Sequence, residues 1–322
     1  MVVRNMLKHG RKNYMDTVKY NVLISGGRGF LGKSLIPCLD KLFQNIVTFS
    51  SHSHDLRKKD DSDAICSKMK DMDCPWVAVH LAAKVTGLLG NMKYPADQYL
   101  DNTLINTNFV DSAYRFGAEK IIVMGSSCMY PNITPQPIKE EYLWDGSAGH
   151  WHRCYGHTKR MMTTQLEAYE RQFGLKYVVC IPPNLYGPND DYETEDNHVV
   201  ASLVKKFARN ETEIQIWGDG SPTRDFLYVE DAAQHIANII TSNISNEIVN
   251  IGSGIETSIK ELVAIMQELT SYEGKIFYDT SKPNGQPRKY FDIDKLKNFS
   301  QHKSICLRDG LIKTLEWYKG KK

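Results

Sequence analysis

Tyr20-Asn21-Val22-Leu23-Ile24-Ser25-Gly26-Gly27-Arg28-Gly29-Phe30-Leu31-Gly32 decides the fold of this chain. Its first half, Tyr20–Ser25, is a short apolar run that reads as a buried strand. Glycines stop that run, and apolar residues resume at helical spacing from about Gly29 to Phe43. Strand, glycine-rich turn and helix in that order open a βαβ unit. Gly26, Gly29 and Gly32 form G-x-x-G-x-x-G, a relative of the dinucleotide-binding fingerprint. Such glycines allow a tight turn, approach of backbone to pyrophosphate, and close packing of helix on sheet. The helix N-terminus adds free N–H groups and a positive dipole end for the phosphates. A dinucleotide is therefore expected at Gly26, Arg28, Gly29, Phe30, Leu31 and Gly32.

The type of dinucleotide follows from the end of the second strand. NAD readers carry Asp or Glu there, to hold the ribose 2′-OH. Here the segment is Phe49-Ser50-Ser51-His52-Ser53-His54, with no acid before Asp55. Arg28, inside the turn, offers a planar guanidinium to a 2′-phosphate. NADP(H) is the expected cofactor.

Working outward, Asn45–Ser50, Trp76–Leu81, Lys120–Gly125 and Lys176–Ile181 read as further strands. Asp101–Phe116 and Tyr155–Phe173 carry helical periodicity between them. After Pro182-Pro183 the texture changes, and Asn184–Asn197 reads as a long loop. A helix over His198–Arg209 follows, then a strand over Arg224–Val229 that leads into a helix over Glu230–Ile240. Glu247–Ile251 reads as a strand and Ser258–Leu269 as a helix. The pattern predicts an α/β fold, a Rossmann-type doubly wound parallel sheet with a smaller C-terminal α/β substrate lobe. Residues 20–185, with about 224–250, are assigned to the cofactor domain. Residues 186–223 and 251–322 are assigned to the lobe. Residues 1–19, basic through Arg4, Lys8, Arg11, Lys12 and Lys19, are expected to be a disordered extension.

Bulk properties narrow the function class. The 322 residues carry a formal net charge of +2 and 24% charged residues, an ordinary globular surface with no nucleic-acid footprint. No stretch approaches the roughly 20 apolar residues of a membrane span. The seven cysteines are odd in number and scattered, without a C-x-x-C pair. That pattern argues against a disulfide framework and a structural zinc, and fits reduced thiols in the cytoplasm. No metal site is expected.

The chemistry sits in Ser126-Ser127-Cys128-Met129-Tyr130-Pro131 and in Tyr155-x-x-x-Lys159. Tyr155 and Lys159 are four apart on a predicted helix and share a face. A free phenol has a pKa of about 10, too high for easy proton transfer at neutral pH. A neighbouring ammonium is expected to lower it, and Lys159 can also hold the nicotinamide ribose. Ser126, at the end of a predicted strand, is placed to hydrogen-bond a substrate carbonyl. Alone, Tyr-x-x-x-Lys occurs by chance on helix surfaces; its position between two strands of a dinucleotide fold gives it meaning.

These residues resemble an extended short-chain dehydrogenase/reductase, and more narrowly the GDP-L-fucose synthase family, which are 3,5-epimerase/4-reductases. The resemblance rests on the glycine turn, Leu81-Ala82-Ala83-Lys84-Val85, Tyr94-Pro95-Ala96-Asp97, Gly125–Pro131 and Tyr155/Lys159. It continues with Pro183–Pro188, Asn197-His198-Val199, Trp217-Gly218-Asp219-Gly220, Arg224–Leu227 and Ser281–Lys289. It implies that Ser126, Cys128, Tyr155, Lys159 and His198 are catalytic, with Cys128 and His198 as the epimerisation pair. A C4 ketone acidifies the hydrogens on C3 and C5, and inversion needs a base on one face and an acid on the other. Further cofactor contacts are expected at Asp55, Leu56, Leu81, Ala82, Ala83, Met124, Lys159, Pro182, Asn184, Leu185 and His198.

For the substrate, Lys206, Trp217, Arg224 and Lys289 are expected to grip a GDP-linked 4-keto-6-deoxy sugar. Lys206 stands where the family more often has Arg, and Asn284 where it has Asp, so the sugar is the least constrained part. GDP-L-colitose or GDP-6-deoxy-heptose chemistry is the near alternative. A non-catalytic dinucleotide-binding protein is the alternative of another class, against which Ser126, Tyr155 and Lys159 all stand. Cys154, His152 and His157 are expected to be packing residues. The family implies a homodimer packed through the helix that bears Tyr155.

Overall fold

The computed structural model describes residues 19–149, 152–194 and 198–321. Residues 1–18 of the expected extension, and Asn197 of the Asn197-His198-Val199 motif, lie outside the described residues. The first half alternates strand and helix: β1 Asn21–Ser25, α1 Phe30–Leu39, β2 Asn45–Thr48, α2 Lys59–Asp71 and β3 Trp76–His80. It continues with α3 Leu88–Lys93, α4 Pro95–Arg115, β4 Lys120–Met124, α5 Arg153–Phe173 and β5 Lys176–Ile181. Next come β6 Asn184–Tyr186, α6 Val199–Ala208, β7 Glu213–Trp217, β8 Thr223–Arg224, β9 Phe226–Tyr228, α7 Val229–Thr241 and β10 Glu247–Asn250. The chain ends in β11 Thr257–Ser258, α8 Ile259–Thr270, β12 Lys275–Asp279, β13 Arg288–Lys289, α9 Asp294–Lys297 and α10 Leu307–Gly320.

Six strands form one parallel sheet in the order β10-β5-β4-β3-β1-β2. The strand order turns back between β1 and β3, so the connections that leave their carboxyl ends run to opposite faces of the sheet and leave a crevice. Side chains alternate between two dry faces. Leu23, Ala78, Ile121 and Val179 pack with Phe109 of α4 and Met162 of α5. Val22, Val77, Ile122 and Val178 pack with Leu35 of α1 and Ile236 of α7. Burial on both faces explains why these strands read as continuous apolar runs.

A separate core holds the rest together. Ile214 and Ile216 of β7, Val204 of α6, Met266 of α8 and Leu311 of α10 share it with Tyr186 and Tyr228. β7 pairs in parallel with β12, and β6 with β9. The structure differs from the sequence reading in several elements. The Asn184–Asn197 loop begins with a three-residue strand, because β9 supplies a partner that no local pattern reveals. The single strand expected over Arg224–Val229 is split at Asp225, whose buried carboxylate turns to Ser253 and Gly254. The first helix ends at Leu39 rather than Phe43. α2, β7, β12 and α10 have no counterpart in the sequence reading.

Two buried polar networks tie the layers. Neutral His80 lies between Ser25 Oγ (2.7 Å) and Asn106 Oδ1 (3.1 Å), stacked on Phe109. Burial, aided by the charge of Lys159, pushes its imidazole down to about 3. Asn106 then donates through Nδ2 to the Thr158 carbonyl of α5, and Ala82 N donates to Ser25 Oγ. In the second network, Asn250 at the end of β10 accepts from the Tyr130 hydroxyl at 2.7 Å. It donates to the Ile138 carbonyl at 2.9 Å, and its N–H bonds Glu140 Oε1 at 2.8 Å. Replacing Asn250 by Ala leaves the buried Tyr130 hydroxyl unpaired, while the Ile138 carbonyl keeps its bond from Asp292 N. We expect Asn250→Ala to cost about 1–3 kcal/mol of stability, read as a lower thermal unfolding midpoint.

Candidate functional site

The carboxyl ends of β1, β3, β4 and β5 open on a cavity of about 810 Å³. Its floor comes from the sheet and its far wall from α6, the end of β7 and the 283–289 segment. On the β1 side, Gly26 adopts φ +73°, a conformation that favours glycine. A Cβ on Gly32 would fall within 2.5–2.6 Å of the Gly27 and Gly26 carbonyl oxygens. The turn therefore holds the N-terminus of α1 hard against the strand end, as pyrophosphate binding requires. Phe30 and Leu31 line the cavity, and Arg28 is exposed at its edge of the fold.

Asp55, expected among the cofactor contacts, is engaged by a neighbour. Its carboxylate is held by Arg57 through Nε at 3.0 and 3.1 Å and Nη2 at 2.7 Å. That pairing keeps the carboxyl below the ordinary carboxylate range. The Leu56 side chain is buried in the core, so any contact from it to a ligand must come from its backbone. With the acid engaged and Arg28 exposed, the β2 end suits a 2′-phosphate better than a 2′-hydroxyl. Leu81, Ala83, Met124, Pro182, Asn184 and Leu185 line the cavity along the strand ends. Ala82 sits behind them, its N–H bonded to Ser25.

Helix α5 carries the tyrosine and lysine, and one glycine sets its position. A Cβ on Gly156 would come 2.3 Å from the Cys128 carbonyl oxygen, so α5 rests directly on the Ser127–Met129 turn. Arg160 clamps the same contact, donating to the Met129 carbonyl (2.6 Å) and the Gly146 carbonyl (2.6 Å). Ser126, Cys128, Tyr155 and Lys159 consequently all face the one cavity. The Ser126 hydroxyl accepts from Cys128 N at 3.2 Å, which fixes the turn and leaves its proton for a ligand.

One electrostatic expectation is overturned. The Tyr155 phenol is not lowered by Lys159; burial, and secondarily the charge of Cys128, push it well up. Burial pulls the Lys159 ammonium down to about 8. The reason is geometric: Lys159 Nζ lies 5.8 Å from the centre of the Tyr155 ring, over its face rather than at its hydroxyl. Burial thus favours the neutral phenol of Tyr155.

His198 sits at the N-cap of α6, 51% exposed, and lines the same cavity from the opposite side. Arg224 and Lys289 line it too, and both feel the charge of Cys128. Burial pulls Arg224 down to about 10, and its Nη1 donates to the carbonyls of Thr223 (2.7 Å) and Gln286 (2.6 Å). Trp217 is 42% exposed, with Lys282 over its ring. Lys206 lines the wall, but its amine donates to the Gln215 carbonyl at 2.9 Å. Asn284, the departure from the family pattern, accepts from Asp219 N at 2.9 Å. An aspartate could accept the same bond, so the exchange keeps this contact and takes one negative charge from the wall.

Of the three residues read as packing, one lines the cavity and two do not. His152 lines the cavity as a neutral imidazole, pulled down to about 4 by burial and by Lys289, His198 and Arg224. Cys154 and His157 lie on the outer face of α5, in a groove with Tyr99, Trp144 and Met161. Only the position of His152, just before α5, could have signalled its place.

The NAD dependent epimerase/dehydratase family matches residues 22–252. A putative GDP-L-fucose synthase 2 from Arabidopsis thaliana is 37% identical over 311 residues, 95% of this chain and 94% of the relative. The GDP-L-fucose synthase of Escherichia coli K12 is 31% identical over 317 residues, 93% of this chain and 97% of that one. Among solved structures, a GDP-L-fucose synthetase from Naegleria fowleri bound to NADP superposes with a TM-score of 0.87. It is 28% identical and covers 96% of each chain. With the glycine turn, the Ser126–Tyr155–Lys159 face and these matches together, the chain belongs to the GDP-L-fucose synthase family of NAD dependent epimerase/dehydratases.

Proposed function

We propose that the protein is an NADP-dependent 3,5-epimerase/4-reductase that converts GDP-4-keto-6-deoxy-D-mannose to GDP-L-fucose. The observation that carries this reading is that Cys128 and His198 open on one cavity with Ser126, Tyr155 and Lys159. A simple reductase has no use for the first two. Gly26, Gly29, Gly32 and Arg28 would hold the cofactor, with Phe30, Leu31, Leu81, Ala83 and Met124 along it. When bound, NADPH supplies the hydride for C4.

The chain's own residues do the rest. Arg224 and Lys289 take the diphosphate, and Trp217 offers an exposed ring for the base. Ser126 donates to the C4 oxygen, and its hydrogen bond stabilises the enolate formed as carbon is deprotonated. Cys128 and His198, on opposite walls, remove and return protons at C3 and C5. Tyr155, kept a neutral phenol by burial, gives its proton to the C4 oxygen, and the buried Lys159 ammonium would hold the nicotinamide ribose.

We further propose that the protein is a homodimer and works in the cytoplasm. Tyr99 and Leu100 of α4 are 46% and 57% exposed, and Trp144 is 48% exposed beside α5. A second copy would cover this apolar face. All seven cysteines are unpaired, which suits a reducing compartment. Among the described residues no helix is long and apolar enough to cross a membrane.

Mixing the purified protein with NADPH and GDP-4-keto-6-deoxy-D-mannose should consume nicotinamide absorbance and give GDP-L-fucose. No consumption would sink this reading, and a colitose- or heptose-type substrate turned over instead would move it to the alternative. In Cys128→Ser, solvent deuterium uptake at C3 and C5 should fall by about a hundredfold while cofactor affinity is unchanged. Gly156→Ala must push α5 off the Cys128 turn, and a shift of that size should lower kcat about a hundredfold. Leu100→Glu should sediment as a monomer where the parent sediments as a dimer.

A further inference from the structure

The imidazole of His198 has a buried acid behind it. Asp190 follows a turn in which Gly187 and Asn189 both have positive φ (141° and 69°), and its side chain is only 6% exposed. Its Oδ1 accepts from Asp191 N at 2.8 Å and lies 4.0 Å from His198 Nδ1. Its Oδ2 is buried and has no hydrogen-bond partner among the described residues. A buried carboxylate oxygen left unpaired is costly and calls for an explanation. Asp190 does not line the cavity; His198 stands between it and the site.

We propose that Asp190 is the positioning residue for His198. It accepts a hydrogen bond from Nδ1–H, fixes that tautomer, and turns the unprotonated Nε2 toward the substrate. A small rotation of the half-exposed ring closes the 4.0 Å gap to Oδ1, which has a second lone pair beside the one taken by Asp191 N. A turn of the carboxyl offers the orphaned Oδ2 instead. The arrangement also answers a local problem. His198 caps the N-terminus of α6, whose positive dipole end disfavours an imidazolium. A carboxylate behind the ring restores that charged form, so His198 can hold a proton taken from carbon. Burial raises the Asp190 carboxyl, and a charged His198 beside it opposes that rise.

Among the described residues, the other charged groups around the pair lie across the cavity, along α6 and on the Asp190 loop, where Glu193 pairs with Lys205 and Arg209. His152, Arg224 and Lys289 face His198 across the cavity, and Lys205 and Lys206 lie further along α6. Asp191 and Tyr192 flank Asp190 on its own loop, and Tyr192 donates its hydroxyl to the Gly187 carbonyl. None of them reaches Oδ2.

The proposal rests on the reading of His198 as an acid–base group, so the test separates the two. Solvent deuterium uptake at C3 and C5 is followed against pH in the parent, Asp190→Asn and His198→Asn. Asp190→Asn should lower the plateau about tenfold to a hundredfold. Its acid limb should move about one unit to lower pH, because the imidazolium has lost its stabilising anion. KM should stay constant. A lower plateau with an unmoved limb means a structural role only, and an unchanged profile means none; either overturns the proposal. Full uptake in His198→Asn removes His198 from the chemistry and the pair with it. Should Asp190→Asn not fold, nitrogen-15 spectra of the parent decide, with the His198 signals assigned by their loss in His198→Asn. Protonation at Nδ1 in the neutral ring supports the pair, and protonation at Nε2 overturns it.

Discussion

A single chain of hydrogen bonds, from Ser25 through His80 and Asn106 to the Thr158 carbonyl, fixes the relation between the two halves of the chemistry. Ser25 ends the strand before the glycine turn, and Thr158 lies between Tyr155 and Lys159. The distance from the nucleotide turn to the proton donor is thus set through buried, fully paired groups. In such surroundings a missing partner is costly, so the chain has one stable arrangement. A charged His80 would break it, and burial keeps the ring neutral far below physiological pH.

The rest of the site is assembled by close backbone contact. Gly32 lets α1 reach the carbonyls of Gly26 and Gly27, and Gly156 lets α5 reach the carbonyl of Cys128. Each helix is thereby registered against a strand end, and the side chains follow. The opposite wall depends on a different core, around Val204, Ile214 and Leu311, and reaches the cavity through His198, Trp217, Arg224 and Lys289.

Much of this was legible in the sequence. The strands of the parallel sheet are short apolar runs between glycines and helices, a local signal that survives without tertiary information. β6 was not, because three residues become a strand only when Phe226–Tyr228 comes alongside. α2 was hidden by its charges, since only Ser62, Ile65, Cys66 and Met69 of it are buried. The residues that line the cavity near the sheet were singled out by motif and spacing. His152 and Asp190 were not marked by either, for their places depend on what the fold sets against them. The order of the tyrosine and lysine was readable, but not that the ammonium would lie over the ring face.

The two cores also divide the labour between rigid and adjustable parts. Ser126, Cys128, Tyr155 and Lys159 share one framework with the nucleotide turn, whereas His198 belongs to the other. Any loosening between them would leave Ser126, Cys128, Tyr155 and Lys159 together while carrying His198, Trp217, Arg224 and Lys289 away from them. The closed cavity, rather than either of its walls, is therefore the property most exposed to heat, denaturant or substitutions at the seam.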